Sequence, residues 1–245
     1  MLAVALLLAV SAPPQALRAP PKSIYRVVPA VDVPVIAAGV LAIALPYAFA
    51  SDLIHPRCPC SAAEVNSLDR HVIGNHNKFL DDVSDATAGV VLVAPPLLDA
   101  LDVGLSPTLL EDVTVYGETL AVNGALVTAA KYTVQRPLPR TYAGDPTLLH
   151  QPGGYRSFYS GHVSVVVAAL SVTAFTLETR HHQHIWPWLL VAGVGAMVAA
   201  ERVAAGRHFY TDVAVGAVAG AAVGTLVPLA HRRANLDMQG LSLRF

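Results

Sequence analysis

Three short stretches carry residue types that together could move a phosphoryl group: Lys131 with Arg136, then Ser160-Gly161-His162, then Arg202 followed by His208 and Asp212. One imidazole can attack phosphorus while a second protonates the departing oxygen. The cations can hold the negative charge that builds up between them. Such a set needs no metal and no other cofactor. Each stretch also stands at the edge of an apolar run long enough to cross a bilayer.

The spacing suggests how the parts would act. His208 and Asp212 are four apart, so at the start of a helix they share one face. A carboxylate bonded to one ring nitrogen fixes the tautomer and leaves the other nitrogen free to attack. Arg202 would approach from the end of the preceding helix. Ser160 and Gly161 would open a helix whose first backbone N–H groups and positive dipole end favour a phosphate. His162 is placed to be the general acid, and Lys131 and nearby arginines such as Arg136 add positive charge.

The elements that must position these residues are apolar. Of 245 residues, 54% are hydrophobic and only 13% charged, and the mean hydropathy is +0.51. These values point to a membrane protein. A net charge of −1 lacks the basic footprint of a nucleic-acid binder, so no nucleic-acid partner is expected. Spans are expected near 31–50, 86–103, 113–134, 159–177, 185–200 and 212–229, an all-α bundle of six transmembrane helices. Pro95-Pro96 should kink or break the second span. The third carries Glu118, Asn123 and Lys131, and ionisable groups at such depth usually face the bundle interior. Gly216 and Gly220 have a small-xxx-small spacing that suits close packing inside the bundle, with a homo-oligomer as its other use.

The domain reading is an N-terminal segment over 1–30, a membrane domain over 31–232 and a tail over 233–245. Residues 2–10 followed by Val10-Ser11-Ala12 resemble a signal peptide, without the usual preceding basic residue. Arg18, Lys22 and Arg26, with Arg180, Arg232 and Arg233, put both chain ends in the cytoplasm and the three motifs on the outer face; a cleaved signal peptide would invert this. The loop holding His55, Cys58, Cys60, His71 and His76 matches no standard zinc spacing and reads as a plain polar loop. A Cys58–Cys60 bridge is expected to be badly strained. Asp99, Asp102 and Asp112 flank turns and are expected to be solvated.

With these residues in view, the chain resembles the type 2 phosphatidic acid phosphatases, or lipid phosphate phosphatases. They share a helical core with vanadium haloperoxidases and bacterial acid phosphatases. Their pattern is Lys-x6-Arg-Pro, Pro-Ser-Gly-His and Ser-Arg-x5-His-x3-Asp. Here the stretches run from Lys131 to Pro139, Tyr159 to His162 and Glu201 to Asp212. The resemblance implies that His208 is the nucleophile, Asp212 its orienting partner and His162 the acid. It implies that Lys131, Ser160, Gly161 and Arg202 hold the phosphoryl oxygens. Three positions depart from the pattern: Tyr159 for proline, Glu201 for serine, and Leu138 for a phosphate-binding arginine, whose place Arg136 or Arg140 would take. A membrane-embedded phosphatase acting on a lipid phosphate or isoprenoid diphosphate is the implied activity, with membrane lipid as its surroundings. The alternatives are a related lipid phosphotransferase and an inactive lipid-phosphate-binding protein.

Overall fold

Apolar runs bounded by proline, serine, asparagine or charge become six long helices in the computed structural model, which describes residues 22–233. We label them α1 (Pro29–Ala48), α2 (Lys78–Val103), α3 (Pro107–Val134), α4 (Gly161–His181), α5 (Trp186–Ala204) and α6 (Tyr210–Ala230). The signal-like stretch and the C-terminal tail beyond Arg233 lie outside the described residues. Local chemistry sets the helix starts. Asn77 caps α2 through Leu80 N–H at 3.1 Å, and Ser106 caps α3 ahead of a proline in its first turn. Among the described residues no strand forms, and one isolated bridge joins Tyr25 to Arg232.

Five of the six helices are long and apolar enough to cross a membrane. α3 is the exception, because Glu111, Asp112, Glu118 and Lys131 lie along it. α4 is the central helix, packed against α2, α3, α5 and α6, while α1 lies on the outside of α3. The α4–α6 contact is the closest. A Cβ at Gly216 or Gly224 would fall 2.7 or 2.6 Å from the carbonyl oxygens of Ser160 and Ala168, and one at Gly220 would strike that of Ser164. The glycine spacing therefore packs one helix onto its neighbour within the bundle and fixes the start of α4 against the start of α6.

Four expectations need correction. α2 begins eight residues before its apolar run, since its first two turns are polar and leave the apolar layer. It also runs unbroken through Pro95 and Pro96. Those prolines cannot donate to the carbonyls of Val91 and Leu92, and the Tyr116 hydroxyl of α3 donates to both instead, at 3.1 and 3.2 Å. Asp99 and Asp112 are not solvated: both bond the buried Arg180, at 3.0 and 2.5 Å. Asp102 contacts His181 at 2.7 Å. Finally, Cys58 and Cys60 do form a disulfide; their Cα atoms are 4.5 Å apart, inside the range such a bond accepts.

Tyr116→Phe should keep the ring packing yet strand two carbonyls in an apolar layer, at a cost of about 1–2 kcal/mol. A thermal midpoint in detergent several degrees below wild type is expected, and an unchanged midpoint would contradict this account of α2.

Candidate active site

At one end of the bundle a single buried carboxylate gathers all three motifs. Asp212, in the first turn of α6, is 0% exposed. Its Oδ2 accepts from Phe209 N–H at 3.0 Å, reaching back to the residue before the helix, and from Ser157 Oγ–H at 2.5 Å. Its Oδ1 accepts from Arg136 at 2.6 Å. Its backbone carbonyl accepts from Ser160 N–H at 3.1 Å, which ties the start of α4 to the start of α6.

His208 sits in the turn between α5 and α6. Gly206, at φ 66°, reverses the chain there, and a side chain at that position would strike Asn75 O. Nδ1 of His208 lies 2.8 Å from Ser157 O. A carbonyl only accepts, so Nδ1 carries the proton and Nε2 keeps its lone pair. Asp212 Oδ2 is 3.8 Å from Nδ1, a distance for charge stabilisation and too long for a hydrogen bond. The expected carboxylate–imidazole bond is thus replaced by a carbonyl bond with the carboxylate behind it. Burial pushes the His208 imidazole down to about 3; the Asp212 carboxylate works against this and the Lys131 ammonium with it. His208 is therefore a neutral, free-base imidazole at neutral pH.

The Lys131 and Arg202 charges act on the rings of both His162 and His208. Lys131 is buried at the end of α3, with Nζ 2.5 Å from Arg156 O, and its stem lies under Gly161. The first intrahelical bond of α4 runs from Ser164 N–H to Ser160 O at 3.1 Å, so the amides of Gly161, His162 and Val163 precede the ladder. Two buried polar atoms here have no hydrogen-bond partner: Ser160 Oγ and Arg202 Nε. Both atoms donate hydrogen bonds and suit an anion.

Arg136, expected at the phosphate, is committed elsewhere. It donates to Asp212, to Thr211 Oγ1 at 2.8 Å and to Asp69 Oδ2 at 2.9 Å, and its guanidinium stacks 4.0 Å from the Phe209 ring centroid. Arg140 is likewise bonded to Asp145, at 2.9 and 2.5 Å. Leu138 is 5% exposed and brings no donor. Glu201 is buried with Oε2 unpartnered, which nothing in the structure explains.

Sequence reasoning missed the acidic half of this region. His162 Nε2 contacts Asp85 of α2 at 2.7 Å. Arg202 donates to Asp81 at 2.8 Å, Ser84 at 2.9 Å and Asp85 at 3.3 Å, and Arg207 also pairs with Asp81. Asp69, in the helical turn Ser67–Arg70, holds Arg136 and Thr211. Burial pushes the Asp69 carboxyl up, but hydrogen bonds from Arg136, Thr211 and Asn66 outweigh it and hold the group below the usual carboxylate range. The spacing of Asp81, Ser84 and Asp85, three and four apart just before an apolar run, was the one signal available.

The family model of the PAP2 superfamily matches residues 112–236, about half the chain and all three motifs. The chain belongs to the PAP2 superfamily. Two solved structures are similar to this PAP2 protein. LpxE of Aquifex aeolicus is 26% identical, with 66% of this chain and 93% of that one covered and a TM-score of 0.46. The PAP2-type phosphatidylglycerolphosphate phosphatase of Bacillus subtilis is 19% identical, with 87% and 98% covered and a TM-score of 0.46. No curated protein matches. With five helices able to cross a bilayer, the chain is an integral membrane member of the superfamily.

The low His208 value gives a signed expectation. The unfolded chain takes up a proton near 6.5, whereas the folded chain refuses it until about 3. Stability from this group is complete above 6.5 and falls as the pH drops towards 3. Between pH 7 and 5 the loss is about 2 kcal/mol. The thermal midpoint should fall less steeply over that interval in His208→Gln than in wild type, and identical slopes would contradict a buried neutral imidazole.

Proposed function

We propose that the protein is a membrane phosphatase that hydrolyses a lipid phosphate or isoprenoid diphosphate through a phosphohistidine at His208, without a metal. The observation that carries this reading is the neutral imidazole with Nδ1 held by Ser157 O and Nε2 unprotonated. Nε2 attacks phosphorus, an N–P bond forms and the bond to the leaving oxygen breaks. His162 gives that oxygen its proton. Water then attacks phosphorus as His162 takes a proton from it, the N–P bond breaks, and inorganic phosphate leaves with Nε2 of His208 free again. Asp85 orients His162 through Nε2. Lys131, the unpartnered Ser160 Oγ and Arg202 Nε, and the leading amides of α4 receive the phosphoryl oxygens. Arg136 acts through Asp212 and keeps that carboxylate ionised behind the nucleophile.

Six spans are proposed, with α3 as the polar one kept from lipid by its neighbours. An outward-facing site is supported by two features. The Cys58–Cys60 disulfide, whose Cys58 N–H is bonded to Tyr155 OH at 3.0 Å, belongs to a loop at the site's end of the bundle, and such bonds persist in oxidising compartments. Arg26, Arg232 and Arg233 stand at the other end, as cytoplasmic cations do. A second reading, lipid-phosphate binding without turnover, is favoured by Leu138 together with the commitment of Arg136 and Arg140 to carboxylates.

Phosphate release from detergent-solubilised phosphatidate and from an isoprenoid diphosphate, in EDTA, tests both. Wild type should release phosphate from at least one and His208→Ala should fall by a factor of about a thousand or more. Binding of both substrates without release would support the second reading instead.

A further inference from the structure

The end of the bundle opposite the histidines holds a second set of ionisable groups, which the proposed reaction does not use. Asp32 stands in the first turn of α1, Glu118 in α3, and His231 directly after α6. Among the described residues, this is where three potential metal ligands come together, one atom from each lying within 4.8 Å of the others. His231 Nε2 is 3.5 Å from Asp32 Oδ1 and 3.5 Å from Glu118 Oε2. Those separations are long for hydrogen bonds. They do match the edge of a coordination shell, since two ligands about 2.1 Å from an ion at the tetrahedral angle are about 3.4 Å apart.

The ring is oriented for such a role. His231 Nδ1 lies 2.9 Å from Val227 O, a pure acceptor, so Nδ1 donates there and Nε2 is the ring atom that faces two carboxylates. A backbone carbonyl holding the outer N–H is the usual support of a metal-bound histidine. Glu118 gives an independent sign. It is 8% exposed, and its Oε2 has no hydrogen-bond partner. Two carboxylates this close and this buried are costly unless a cation stands among them.

We propose that Asp32, Glu118 and His231 bind a divalent transition-metal ion of the Zn²⁺ class, with water completing the shell. Two carboxylates, a neutral imidazole and a dication sum to zero charge, which suits a site within a membrane bundle. A cavity of about 380 Å³ that Asp32 and His231 help to line gives the ion its way in. The same cavity is edged by Arg26, Arg232 and Arg233, so the two carboxylates must supply the attraction; Arg233 is itself paired with Glu111 at 2.8 Å. The ion ties α1 to α3 and α6. α1 otherwise rests on α3 mainly through close contact, where a Cβ at Gly39 would meet Ala121 Cβ at 2.9 Å. Its role is a clamp on the outermost helix, separate from the phosphate chemistry.

The test uses the full chain in detergent, stripped with EDTA, desalted and titrated with ZnCl₂. Elemental analysis should find about one zinc per wild-type chain, and saturation should raise the thermal midpoint by about 5 °C or more. Glu118→Gln and His231→Gln should each weaken zinc binding at least about tenfold and lose the midpoint rise. A single symmetric size-exclusion peak and a cooperative thermal transition in detergent check that these variants are folded. Should they not fold, Co²⁺ added to wild type reads the site directly through the visible absorption of a four- or five-coordinate centre. Zinc retained by fewer than about one chain in ten, equal zinc binding by folded variants, or a wild-type Co²⁺ spectrum like that of the hydrated ion would overturn the proposal.

Discussion

The burial of one carboxylate, Asp212, is the constraint on which the active end of the bundle depends. An ionised group with no exposed surface is tolerable only when its oxygens are fully used, and breaking such a set by removing one partner costs several kcal/mol. Asp212 draws Arg136 from beyond α3, Ser157 from the approach to α4, and Phe209 N–H from its own turn. Ser160 is held by the carbonyl of the same residue. The three motifs lie far apart in the chain, and satisfying this one group brings them to a common point. The position of His208 follows, because the segment that offers Ser157 Oγ to Asp212 offers Ser157 O to the imidazole.

Charge is divided between two tasks. Arg136 and Arg140 are spent on carboxylates, whereas the Lys131 and Arg202 charges act on His162 and His208. Arg202 itself is anchored by Asp81, Ser84 and Asp85 through one nitrogen, which aims the guanidinium while leaving Nε unpartnered. The polar first turns of α2 thus hold Arg202 in place, and Asp85 contacts His162 as well. The α4–α6 glycine stripe supplies the rigidity, since neither helix can shift without moving Ser160 against Asp212.

Much of this was legible in the chain. Uncharged runs locate five spans and the body of α3, and the internal spacing of Arg202, His208 and Asp212 singles out three residues that the structure brings together at one end of the bundle. Polar ends of helices were not legible, because a search for apolar runs stops where charge begins; α2 therefore lost Asp81 and Asp85 to a supposed loop. Long-range choices were hidden too. Nothing local says that Arg136 would turn to Asp69 and Asp212, or that a tyrosine from α3 would relieve the two prolines of α2. The Cys58–Cys60 bridge was misjudged because spacing alone says nothing of how closely the backbone brings two Cα atoms.

The most direct test of the account is to quench the enzyme with alkali during turnover and map phosphate by mass spectrometry. An acid-labile, alkali-stable phosphoryl group on the peptide bearing His208, absent when substrate is omitted, is the predicted result. Turnover with no phosphate on that peptide, or with phosphate on another residue, would contradict a reaction through the buried neutral imidazole.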